Sequence, residues 1–239
     1  MLAVWFGLDL LVRNPLLVPS PVMVGGSLMR LSASGELADH VLASLSRLLV
    51  GLLIGVPLGA LLGCAMGYWW RADAALNPFV RLFNSIPAIA MVPFSLLWFG
   101  VTEASRYSLL VYTISLTVLL AARHGVRSVP KVRMRAAATL GLGPVATLLR
   151  VVLPSCFPAI LAGTRTAIGL GVMVIVAAEM LGAEEGLGFL IMQARSQFNI
   201  GNLYVGIIGL GLLSVALDRL FQATIDHLLP RWSVRRRIR

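Results

Sequence analysis

Residues 38–70 form one long apolar segment, without a charge from residue 48 to residue 70. It is longer than the roughly twenty residues that a helix needs to cross a bilayer. Its apolar positions are continuous rather than alternating, so it does not read as a strand of a membrane barrel. Gly51, Gly55, Gly59, Gly63 and Gly67 recur within it at intervals of four. At 3.6 residues per turn they make one slowly drifting stripe without side chains. Such a stripe lets a neighbouring helix approach closely. The neighbour is either a helix of the same chain or a contact used in assembly or gating. Pro57 is expected to bend this helix.

The rest of the chain repeats the pattern. Of its 239 residues 58% are hydrophobic and 13% are charged, against about 25% charged in a soluble domain; mean hydropathy is +0.89. The reading is an all-α polytopic membrane protein with five or six spans. A segment at 78–100 carries Pro87 and Pro93 beside Asn84 and Ser85. Two prolines predict a broken span, either a packing device or the lining of a watery pathway. Further spans are expected at 105–122, 159–181 and 203–220. Residues 1–12 are apolar but short, leaving the choice between five and six spans open. An aromatic belt, Tyr68, Trp69 and Trp70, meets Arg71 at a membrane surface.

Charge sets the orientation. The net charge is +10, and Lys131 is the only lysine among twenty basic residues. Arg123, Arg127, Lys131, Arg133, Arg135 and Arg150 share one loop without an acid, and Arg231, Arg235, Arg236, Arg237 and Arg239 share the tail. The positive-inside rule puts both in the cytoplasm. Glu36, Asp39, Glu103, Glu184 and Glu185 then fall outside. No aromatic residues interleave with the loop cations, so a nucleic-acid platform is not expected.

The basic loop is shaped rather than frayed. Residues 131–142 read as a helix with Met134, Ala137, Ala138 and Leu140 on its apolar side, ended by Gly141, Gly143 and Pro144. A second short helix, 145–153, is expected to stop at Pro154. Charge and amphipathicity alone leave two readings, a hairpin lying on anionic lipid or an element gripped by a partner.

The spacing adds a resemblance. Ala136, Ala137, Gly141, Val151, Leu153 and Pro154 stand where the cytoplasmic coupling loop of ABC importer permeases carries Ala-Ala, three residues, Gly, nine residues, an aliphatic, one residue, Leu-Pro. Arg135 replaces that family's usual glutamate. Residues 16–21, 43–47, 97–100, 161–165, 177–181, 186–188 and 230–232 resemble the nitrate/sulfonate/taurine branch. The first span is shorter than that family's. The resemblance implies a type I importer fold. It divides the chain into a short N-terminal apolar segment and periplasmic loop (1–30), a permease domain (31–230, coupling loop about 130–154) and a basic tail (231–239). It further implies a second permease subunit, two cytoplasmic ATPase subunits holding ATP and Mg2+, and a periplasmic or lipid-anchored binding protein, in a bacterial inner membrane. Arg135, Ala136, Ala137, Leu140, Gly141, Leu153 and Pro154 become coupling candidates. In this reading Ala136 and Ala137 enter an ATPase groove.

No G-x-x-x-x-G-K-[ST] phosphate loop is present, so the chain is not expected to be an enzyme or to hold a cofactor. A secondary transporter is the alternative. It would show paired repeats and mid-span carboxylates, and neither is evident. Arg165 and Glu179 are the costly intramembrane charges. They are pathway candidates, with Asn84 and Ser85, unless they snorkel to an interface. Cys64 and Cys156 read as small apolar fillers, and His40, His124 and His227 lack partners at metal-ligand spacing.

Overall fold

In a computed structural model the described residues are Trp5 and 19–228, and among them no strand occurs. The expected first segment (1–12) and the basic tail lie outside the described residues, apart from Trp5. Helix α1 (Pro21–Ala33) opens with Ser20, whose hydroxyl accepts from the Met23 N–H at 3.2 Å, and with Pro21 in the first turn. Residues 21–30, expected in a loop, are therefore helical, because a cap and an N-terminal proline are both in place.

Helix α2 (Glu36–Tyr68) is the long apolar run, continuous through Pro57. Helix α3 (Trp70–Ser85) begins one residue later, so no loop follows the aromatic belt. A 3-10 turn (Ala88–Met91) and α4 (Val92–Phe99) follow, in the segment expected as a broken span. The two halves meet at 90°. The break falls at Ile86-Pro87. Pro93 sits in the first turn of α4, where a missing N–H costs nothing.

Helix α5 (Glu103–Arg127) crosses back, and α6 (Lys131–Thr139) lies in the basic loop. From Pro144 to Gly182 the chain is one long helix, α7. The expected stop at Pro154 does not occur. A π-helical turn, Leu148–Val152, closes with the Leu153 N–H on the Leu148 carbonyl just before the proline. That wider turn moves the carbonyl a proline ring would strike. A short helix α8 (Leu187–Ser196) follows the Gly182–Gly186 turn, and α9 (Ile200–Leu228) ends the described chain.

Four helices are long and apolar enough to span, or five where the bent α3/α4 pair is counted as one span. Helices α2, α5 and α7 form the centre. Leu48, Leu110, Ile114, Val118, Ile168 and Ile175 are buried there. The glycine stripe belongs to this packing. A Cβ on Gly51 would sit 2.7 Å from the Leu110 Cβ, one on Gly55 2.8 Å from Ile114, and one on Gly63 2.7 Å from the Ala122 Cβ. Helix α5 occupies the stripe, so its neighbour is within the chain.

Candidate coupling surface and translocation cleft

Helix α6 ends because its backbone has somewhere to go. The Gly141 N–H bonds the Ala138 carbonyl at 3.0 Å and the Leu142 N–H bonds the Ala137 carbonyl at 3.1 Å. Gly141 takes a φ of +71°. This is a Schellman close, which requires the left-handed region that glycine enters freely. The loop is tied down on both sides. The Tyr68 hydroxyl donates to the Pro144 carbonyl at 3.0 Å, and Arg133 donates to the Ser155 hydroxyl at 3.0 Å. Asp73, in the first turn of α3, pairs with Arg123 and Arg127 of α5, each at 2.6 Å. These contacts place the ends of α2 and α5 and the starts of α3 and α7 at one membrane face.

The coupling candidates separate by orientation. Ala137 is 2% exposed and is turned into the chain, where α6 packs on the π turn. Ala136 and Arg135 face outward, and Leu140 is 79% exposed. Val132, Ala136 and Leu140 recur every four residues and make one exposed apolar stripe on a basic element. The two alanines, expected to enter one groove together, therefore face different ways. At about 100° per residue, neighbouring positions cannot share a face. Leu153 and Pro154 lie in the first turn after the π turn, joining the loop directly to the span.

On the exposed side of α5 and α7 a cleft of about 550 Å³ opens against the α3/α4 break. Asn84, Tyr112, Thr113, Thr117 and Thr166 supply its polar lining. The hydroxyl of Tyr112 donates to the Phe83 carbonyl at 2.7 Å. Thr113, Thr117 and Thr166 donate to carbonyls four residues back. Their oxygen lone pairs remain as acceptors. The lining carries no charged side chain. Of the four pathway candidates, Asn84 lines the cleft. The hydroxyl of Ser85 is spent on the Arg81 carbonyl.

Glu179 neither snorkels nor reaches the cleft. It is 0% exposed, at the opposite membrane face from α6. Its carboxylate accepts from Arg47 at 2.8 Å, from Ser44 at 2.8 and 2.9 Å, and from the Gly188 N–H at 2.9 Å. Arg47 also donates to Glu103 at 2.8 and 2.7 Å and to the Glu185 carbonyl at 2.7 Å. Arg106 joins Glu103 at 2.6 Å and bonds the Gly182 carbonyl. The turn before α8 donates in succession to three side chains: Gly186 to His40 at 3.2 Å, Leu187 to Ser44 at 2.9 Å and Gly188 to Glu179. A Cβ on Gly188 would lie 2.8 Å from that of Glu179. The network staples α2, α5, α7 and α8 together. The partnership of Arg47 with Glu179 was missed in the sequence, where 132 residues separate them; the unfavourable charge at each position was its only signal.

Arg165 is exposed on α7 and holds Asp218 of α9 through Nε at 2.7 Å and Nη2 at 2.9 Å. Cys64 and Cys156 are buried free thiols with sulfurs 3.9 Å apart, filling the α2–α7 contact. Among the described residues no group of three His, Cys, Asp or Glu converges to hold a metal ion.

The apolar helical bundle, with a basic helix-loop at one face and an uncharged cleft, has features of a membrane permease. Residues 55–234 match the family described as binding-protein-dependent transport system inner membrane component, and the chain belongs to that family. It is 32% identical to the taurine transport system permease protein TauC of Escherichia coli K12, over 96% of this chain and 86% of that one. It is 32% identical to an E. coli K12 permease named for aliphatic sulfonates, SsuC, over 91% and 82% of the two chains. A probable ABC transporter permease of Brucella abortus is 31% identical over 95% and 90%. Among solved structures, an inward-facing form of the MetNI methionine ABC transporter superposes with a TM-score of 0.56 at 22% identity, covering 82% of this chain and 97% of that one. The chain is thus an inner-membrane permease subunit of an ABC importer, with the type I importer fold.

Proposed function

We propose that this permease works as a pair with a second permease subunit, most simply a copy of itself. Two cytoplasmic ATPase subunits drive it, and an extracytoplasmic binding protein loads it with a small organic sulfonate. The sulfonate class rests on relatives named for taurine and aliphatic sulfonates. The observation that carries the coupling is the exposed stripe of Val132, Ala136 and Leu140 on a helix bonded to α7 through Arg133 and closed at its other end by the Gly141 turn. An apolar stripe on a basic cytoplasmic element has no use in water and fits a groove on a soluble partner.

The residues divide the work. Ala136 and Leu140 enter the ATPase groove, and Arg135 meets a carboxylate or carbonyls at its rim. Gly141 closes the helix so that the stripe points outward. Ala137 seats α6 on the π turn of α7, and Leu153 and Pro154 carry its motion into the membrane-spanning part of that helix. ATP, bound with Mg2+ in the partner, favours one arrangement of the ATPase pair over the other. Such a difference in binding is what moves a two-state machine. Because α6 is bonded to α7, and the start of α7 to α2, those spans follow it and expose the cleft alternately to each side. The network around Glu179 keeps the outer ends together while this happens.

The test is Ala136→Trp and, separately, Leu140→Asp in the assembled importer. Each is expected to leave insertion intact and to abolish transport-coupled ATP hydrolysis. Uptake at the wild-type rate in both variants would contradict the assignment.

A further inference from the structure

The cleft offers hydroxyl and amide groups but no positive charge. An anion held there without a counter-charge is costly in a water-poor site. The counter-charge lies around the corner of α7. A second notch, of about 580 Å³, opens between α7 and α9 and is lined by Arg165, Thr166, Ser214, Asp218 and Arg219. Thr166 lines both spaces, so they meet along one exposed edge of the helix.

The depth of the notch is set by the packing. Gly163 lies against Ala121 of α5. Arg165 is two residues outward from Gly163, and Arg123, in the Asp73 cluster at the cytoplasmic rim, is two residues inward from Ala121. Four residues at 1.5 Å each put Arg165 about 6 Å above that rim. The notch therefore lies beside the cytoplasmic end of the cleft, on the exit side for an importer.

Its chemistry suits an oxyanion held weakly. Arg165 presents Nε and Nη2 to Asp218, which leaves Nη1 without an acceptor among the described residues. Arg219 has no acidic partner among the described residues. Two guanidiniums against one carboxylate give a net charge of +1. Asp218 also accepts from Gln222 at 2.9 Å, so it keeps a donor when Arg165 turns toward a ligand. Passage requires a site that attracts but releases. A resident carboxylate competing for the same guanidinium supplies the release.

We propose that Arg165 and Arg219 form an exit-side relay for the sulfonate group of the transported solute, with Asp218 as the resident counter-ion. This rests on the sulfonate reading above. The test uses the full importer with its ATPase and binding protein in phosphatidylcholine liposomes, and follows uptake of labelled 2-aminoethanesulfonate. The Arg165→Gln/Arg219→Gln variant is expected to lose about tenfold or more in uptake, the scale of one charge-assisted bond, while keeping ATPase stimulation by the loaded binding protein. Arg165→Lys/Arg219→Lys breaks the same two-bond fork onto Asp218 but keeps both positive charges, and is expected to lower uptake far less.

Equal losses in the two variants would mean a merely structural pair and would overturn the relay. So would unchanged uptake in the double glutamine variant. A loss that appears only when phosphatidylglycerol is present would make the notch a lipid seat and overturn it too. A wild-type importer that hydrolyses ATP yet moves no sulfonate would overturn the substrate reading, and the relay with it.

Discussion

Replacing Arg47 with methionine isolates the energetics of the outer staple. Methionine fills much of the volume of the arginine stem and repacks easily, so the main change is electrostatic. Glu179 stays fully buried and keeps Ser44 and the Gly188 N–H but loses its cation. Glu103 is 43% exposed and retains Arg106, so it contributes little. Breaking a buried pair from one side costs about 3–5 kcal/mol. Removing both charges, as Arg47→Met with Glu179→Leu, leaves the Gly188 N–H unpaired, a penalty of roughly 1–3 kcal/mol. The double variant is therefore expected to be more stable than Arg47→Met alone. The assay is reversible unfolding of the purified chain by titration of SDS into mixed micelles, with both singles and the double in one cycle. An Arg47→Met chain within about 1 kcal/mol of wild type, or singles that simply add, would refute the reasoning.

Two other substitutions test the packing and the loop. Gly55→Leu puts a side chain where a Cβ alone would lie 2.8 Å from Ile114; it should part α2 from α5 and abolish a folded chain in detergent, while Leu53→Ala, on the exposed side of α2, should not. Gly141→Ala meets no neighbour within 4 Å but must hold φ +71°. It should cost about 1 kcal/mol from backbone strain alone, measured in the same titration, with coupled ATP hydrolysis weakened rather than lost.

The apolar spans and the family were legible in the sequence, because apolar length and a fixed motif spacing are local signals. The sequence did not carry what depends on three dimensions. Pro154 reads as a stop, yet the π turn before it lets α7 continue. The glycine stripe said that a helix approaches; only the packing said that it is α5. Glu179 looked like a pathway or interfacial charge because Arg47 is on another span. Asn84 was readable as a cleft residue from its place beside two prolines. The different orientations of Ala136 and Ala137 follow from helix phase, but which of them faces inward required knowing where the π turn lies.

The central claim is that the outward stripe of α6 touches the ATPase and that Ala137 does not. A photoreactive amino acid at Leu140, compared with the same residue at Ala136 and Ala137 in the assembled importer, measures this directly. Cross-links to the ATPase at 140 and 136, with none at 137, are the predicted result. Cross-linking at 137 alone, or only to lipid at all three positions, would contradict it.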